Sequence, residues 1–137
     1  MAYAMNSAIP AAAAAAVLVA CVSAAVTPLR VRQGRLWIIP AALSVLFLAG
    51  SLRAMMTGGA LGFWPEHIRN DWNNQIFVDL LLAAACAYFL LMPRARAVSM
   101  RVFPWFVAIA ATGSIGLLAM IARMLFLEHK AASDTKL

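Results

Sequence analysis

Apolar residues gather into four blocks along the chain, Ile9–Val26, Leu36–Leu52, Ile76–Met92 and Val102–Leu127, with polar breaks between them. Each block is near the roughly 20 helical residues that cross a hydrocarbon core about 30 Å thick. Only Asp79 and Arg123 put formal charge inside them. Backbone groups in lipid must be satisfied within their own segment, so the blocks predict helices. Pro10 and Pro104 suit a first helical turn, Pro40 lies close to a start, and Pro93 is expected to end the third helix. The pattern therefore predicts an all-α membrane protein: four transmembrane helices in one up-down bundle, a single domain over residues 1–137.

The longest break, Arg53–Gln75, holds Gly58-Gly59, Gly62, Phe63-Trp64-Pro65 and the polar run Glu66–Asn74. Connections of that length in a compact domain are usually functional or disordered. Trp64 and Trp72 at its edges predict a segment at headgroup level, with Pro65 opening a short interfacial helix. The tail from Glu128 reads as short, polar and frayed.

Composition agrees with the class. The chain is 65% hydrophobic and 12% charged, with a mean hydropathy of +0.88, too apolar for a water-soluble domain. The net charge of +6 comes largely from two short connections: Arg30, Arg32 and Arg35, then Arg94, Arg96 and Arg101, with no acid in either. All five acids, Glu66, Asp71, Asp79, Glu128 and Asp134, lie elsewhere. The positive-inside rule puts both arginine connections in the cytoplasm of a bacterial cell. It leaves the two termini and the 53–75 loop on the periplasmic side of the inner membrane. No basic stripe interleaved with aromatics tracks a phosphate backbone, so nucleic acid is excluded and the arginines are expected to meet lipid headgroups.

Cys21 and Cys86 fall in apolar blocks with no redox or metal spacing. Leu18-Val19-Ala20-Cys21 has the outline of a lipoprotein cleavage box, but no Lys or Arg precedes the apolar run as a signal sequence requires. Whether the first helix is retained or cut before Cys21 stays open at this level. Eight methionines fit gap filling in a bundle.

Chemistry points to the outer third of the bundle. Asp79 stands about one turn inside the third block and Arg123 about one turn from the far end of the fourth, with Arg53 closing the second on the same side. An intramembrane charge costs several kcal/mol unless it pairs or reaches the interface, so an inward Asp79–Arg123 pair is expected. Ala83 and Cys86 beside Asp79, and Gly116 and Ala119 beside Arg123, suit close helix contact. A register clamp explains such a pair without any further function. The functional reading makes Asp79 a proton acceptor or polar anchor in an outward pocket, with Arg53, Trp64, His67, Asn70, Trp72, Asn73, Asn74 and Arg123 as binding candidates. Glu66-His67 with Asp71 could hold a cation, yet one His without a spaced partner is a poor metal set, so neither metal nor cofactor is expected.

Phe77-x-Asp79-Leu80-Leu81, an apolar run, Arg94 and Arg96, Pro104, Thr112-Gly113-Ser114 and Phe126-x-Glu128 resemble a family of small bacterial membrane proteins, the domain of unknown function 2834 family. The resemblance covers roughly Leu36–His129, although a proline that the family pattern would have around Met120 is missing. It implies a role for Asp79 and no particular reaction.

Three functions follow. The first is a small inner-membrane accessory or scaffold protein of a larger membrane assembly. The second is an enzyme or binding protein for a lipophilic small molecule, isoprenoid- or quinone-like, held around Asp79. The third is a small proton-coupled transporter, for which one intramembrane carboxylate is the minimum.

Overall fold

The computed structural model describes residues 36–59 and 61–134, together with 12, 15–19 and 22. The chain divides into two units, Met1–Arg32 and Gln33–Leu137. In the first, the described residues are helical, and Val17, Leu18, Val19 and Val22 are exposed. Most of the expected Ile9–Val26 helix, Cys21 included, lies outside the described residues.

The second unit holds five helices: α1 (Ile38–Gly58), α2 (Phe63–His67), α3 (Asp71–Ala97), α4 (Val102–Thr112) and α5 (Ser114–Asp134). No strand occurs among the described residues. Two of the helices, α1 and α3, are long and apolar enough to cross a membrane. A core helix of a water-soluble protein would be mostly buried, whereas only 11% and 0% of their most apolar windows are. Leu80, Leu82, Phe89 and Leu90 on α3 and Val45, Leu46 and Phe47 on α1 are all exposed. Apolar surface that extensive marks a chain whose solvent is lipid or another protein.

Both long helices outrun their apolar blocks. α1 continues through Arg53 to Gly58, where Gly59 turns the chain at φ 81° and its N–H reaches Met55 O. Arg53 is therefore inside the helix rather than at its end. α3 begins five residues before Ile76, at Asp71, because Asn70 is an N-cap whose Oδ1 accepts from Asn73 N–H at 2.9 Å. It also runs through Pro93 to Ala97, so Pro93 does not end it. The stop comes instead at Ser99, in the left-handed region at φ 59°. Ser99 N–H bonds Arg96 O and Met100 N–H bonds Ala95 O, both at 2.9 Å, and Met100 and Ala95 are both buried. That is a Schellman stop with its apolar contact, built without glycine.

The largest departure is in the last block. Val102–Leu127 is not one spanning helix but two, broken at Gly113. Gly113 has φ 58°, and its N–H caps α4 at Ile109 O, 2.7 Å away. The chain then doubles back. Gly116 comes so close to α4 that a Cβ there would lie 2.7 Å from the carbonyl carbon and oxygen of Ala108. With 11 residues, α4 is about 16 Å long, roughly half a hydrocarbon core.

Helix α5 is the hub of this unit, packing on α1, α4 and α3. Its Met120 and Met124 are fully buried, and they form the core with Tyr88, Ala95, Met100 and Ile109. Against α1 it runs antiparallel: Trp37 meets Phe126 edge-on at 5.4 Å, and Ser44 Oγ donates to Ile115 O at 3.0 Å. Against α3, Arg94 pairs with Glu128. Glu128 thus lies at the end of the bundle that carries Arg94, Arg96 and Arg101, not at the opposite end where the tail was expected.

Candidate functional site

Asp79 is on α3, and the side of α3 that meets the bundle is marked by Ala84, Tyr88, Leu91 and Ala95. Tyr88 is nine residues on from Asp79, which at about 100° per residue is half a turn around the axis. Asp79 therefore points away from the described core, and it is exposed. Toward the described core, the predicted inward direction is not found. Ala83 and Cys86 share its outward face and are exposed with it.

Arg123 is also exposed, with its guanidinium carbon 5.7 Å from the Phe126 ring centroid, a cation–π distance. It does not pair with Asp79, because the break at Gly113 returns it to the arginine end. Measured from the Arg94–Glu128 level, Arg123 is about 8 Å along α5, while Asp79 is about 22 Å along α3. The expected pair would have to bridge a difference in level of roughly 15 Å. The ion pairs among the described residues are Arg94–Glu128 and Arg69–Glu66, the latter at 3.2 Å.

Asp79 lines an open cleft of about 430 Å³ together with Trp72, Gln75, Ile76, Val78 and Leu82. All six belong to α3, so among the described residues the cleft has a single wall. Trp72 is 74% exposed. Arg53 is exposed on the C-terminal half of α1, nine residues beyond the buried Ser44 and so on the far side of that helix.

The remaining predicted residues meet at the corner between α2 and α3. Phe63, Trp64 and His67 share a short helix, as expected, but it opens at Phe63, two residues before the Pro65 that was expected to open it. Phe77 of α3 anchors them, with ring centroids 4.7 Å from His67 and 6.4 Å from Trp64, both edge-on. The His67 ring nitrogen Nδ1 is 2.5 Å from Phe63 O. A carbonyl only accepts, so Nδ1 carries the proton in that contact. Asn73 Nδ2 donates to Glu66 O at 2.7 Å, fastening α2 to α3. Asn70 is occupied as the N-cap and Asn74 is exposed, its N–H bonded to Asn70 O. A shallow hollow of about 220 Å³ lies there, lined by Glu66, His67, Asn73 and Ile76. No group of three His, Cys, Asp or Glu that could hold a metal ion occurs among the described residues.

The structure thus gathers Trp64, His67, Asn70 and Asn73 into one corner held by backbone contacts, and leaves Asp79, Arg53 and Arg123 apart on outward faces. Reading the sequence missed Phe77, the ring that joins the corner, and Glu128 as a partner for Arg94. Phe77 sits two residues from Asp79 in an apolar run and carries no polar signal of its own. Comparison with known proteins adds no identity: no family model, no curated protein and no solved structure matches the chain.

Proposed function

We propose that this protein is an accessory or scaffold subunit of a membrane assembly, with the Asp79 face of α3 as a protein contact. The observation that carries the reading is the outward direction of Asp79. A pocket for chemistry on a lipophilic substrate would draw its walls from several helices and exclude water around the carboxylate. Among the described residues, the cleft beside Asp79 draws its wall from one helix. A protein interface needs the opposite, a polar group on an outer apolar face that a second surface covers and satisfies.

In this reading the chain is a multi-pass protein of a bacterial inner membrane, and membership in the domain of unknown function 2834 family belongs to the same proposal. The excess of arginine at 94–101 orients that connection to the cytoplasm. The end of α5 goes with it, while the α2 corner lies on the periplasmic side.

The test is photocrosslinking from α3 in native membranes. A photoreactive residue replacing Leu82 should form a discrete protein adduct, and one replacing Phe103 on the exposed face of α4 should label mainly lipid. If the Leu82 position also yields lipid adducts alone, Asp79 faces the bilayer and the accessory reading fails.

A further inference from the structure

We infer that the surface covering Asp79 belongs to a second copy of this chain, with the Asp79 carboxylate of one copy paired to the Arg53 guanidinium of the other. The inference rests on the reading of the Asp79 face as a protein contact, and it names the partner.

Level is the first argument. Trp37 meets Phe126 edge-on, two residues from the Glu128 that pairs with Arg94, so α1 and α3 share a reference plane through α5. From Trp37 to Arg53 is about 24 Å of helix, and from Arg94 to Asp79 about 22 Å. The two charges are level to within roughly one helical turn.

Direction is the second. Arg53 lies half a turn around α1 from Ser44, which is buried against α5, and Asp79 lies half a turn around α3 from buried Tyr88. Each points away from the hub that its helix packs on. Neither takes part in an ion pair among the described residues.

Charge complementarity is the third. A carboxylate and a guanidinium, each inside a helix that can cross the membrane, each cost several kcal/mol when left in hydrocarbon. Their pairing removes both costs together. The other basic residues of the described helices are poor candidates. Arg69 holds Glu66, Arg94 holds Glu128, and Arg96, Arg101, Arg123 and Lys130 belong to the other end of the bundle. The apolar stretch Ile9–Val26 contains no charged residue and supplies no counter-ion.

Shape agrees. Beside Arg53, Gly50 has nothing within 4 Å of where a Cβ would stand, and Ala49 is exposed beside it. Beside Asp79, Ala83 and Cys86 present small side chains. Small residues on both faces let two backbones approach.

The experiment uses the full chain in liposomes, with Cys21→Ala and Cys86→Ala as background. Two differently tagged copies are mixed, one carrying Arg53→Cys and the other Asp79→Cys, and oxidised. The expected result is a disulfide between the two tags, roughly tenfold more abundant than with Leu80→Cys in place of Asp79→Cys, as a contact of specific register requires. A charge arm keeps folding in view: Asp79→Arg and Arg53→Asp chains, each poor at self-association, should associate when co-expressed, with helicity by circular dichroism unchanged. Cross-linking no stronger than the Leu80→Cys control overturns the inference, as does failure of the charge-swapped pair to associate while both fold. A self-contact found without any other protein at Leu82 supports the inference and removes the larger assembly. A different protein captured at Leu82 with no self-contact does the reverse.

Discussion

Arg94 and Glu128, 34 residues apart in sequence, meet side by side, Nε to Oε1 at 3.2 Å and Nη2 to Oε2 at 2.9 Å. The pair is two-pronged but open to solvent, with side chains 56% and 32% exposed. An exposed pair of this kind is worth at most about 1 kcal/mol. Its significance is positional: it brings the end of α5 beside the end of α3, which a last helix crossing the membrane once could not do. The core beneath it, Met120 and Met124 against Ala95 and Met100, supplies the packing that holds the two helices together.

The first prediction follows from that position. In the cysteine-free background, Ser133→Cys and Arg101→Cys should be labelled by a membrane-impermeant maleimide from the same side of oriented vesicles. Leu61→Cys, near the α2 corner, should be labelled from the other. Labelling of Ser133→Cys together with Leu61→Cys would mean that the last block crosses in one pass and that the hairpin is wrong.

The hairpin sets an order among glycines. A residue with a Cβ at Gly113 must hold φ 58° with ψ −124°, outside the left-handed helical region and open almost only to glycine, at a cost of about 1–3 kcal/mol. At Gly116 the added methyl meets Ala108 backbone rather than a movable side chain. Gly113→Ala and Gly116→Ala should therefore both destabilise, the latter near the upper end of the roughly 1–3 kcal/mol typical of overpacking. Gly50→Ala has open space and a helical backbone, and should stabilise by about 0.5–1 kcal/mol. Unfolding in mixed detergent micelles, at dilutions where copies do not associate, checks the order. Equal effects at Gly116 and Gly50 would show that α4 and α5 do not touch.

How much of this was legible in the sequence depends on which force left a trace. The blocks at Leu36–Leu52 and Ile76–Met92 mark α1 and α3 because hydropathy alone decides them. Their true ends were missed because caps, not hydropathy, set them: Asn70 before Asp71 is an N-cap signal that the later apolar onset at Ile76 obscured. The break at Gly113 was hidden in a run of apolar residues. A glycine there reads equally as a close-packing residue, and only its positive φ distinguishes a turn. The direction of Asp79 was misread for a related reason. In lipid, the outer face of a helix is as apolar as the inner one, so Ala83 and Cys86 outside look like Ala84 and Ala95 inside.

Ser99 offers a test of the Schellman stop. It holds φ 59° without being glycine, so Ser99→Gly should relieve strain and stabilise the chain by about 1 kcal/mol. Ser99→Val, branched at Cβ, should destabilise by more than that. Thermal unfolding in detergent reads both. If Ser99→Gly lowers the midpoint, α3 does not end through this turn.

The last prediction separates an outward Asp79 from a buried clamp. Removing one partner of a buried ion pair leaves an uncompensated charge, typically at a cost of about 3–5 kcal/mol. Asp79 is exposed and makes no ion pair among the described residues, and Arg123 rests on Phe126. Asp79→Asn should therefore leave the unfolding midpoint of the dilute, detergent-solubilised chain within about 0.5 kcal/mol of wild type. Arg123→Gln should lose no more than the roughly 0.5–1 kcal/mol of an exposed cation–π contact. The double variant should show simple additivity, since the two side chains have no common partner. A coupling above about 1 kcal/mol in that cycle would mean that Asp79 and Arg123 do meet. The hairpin and the outward face would then both have to be abandoned.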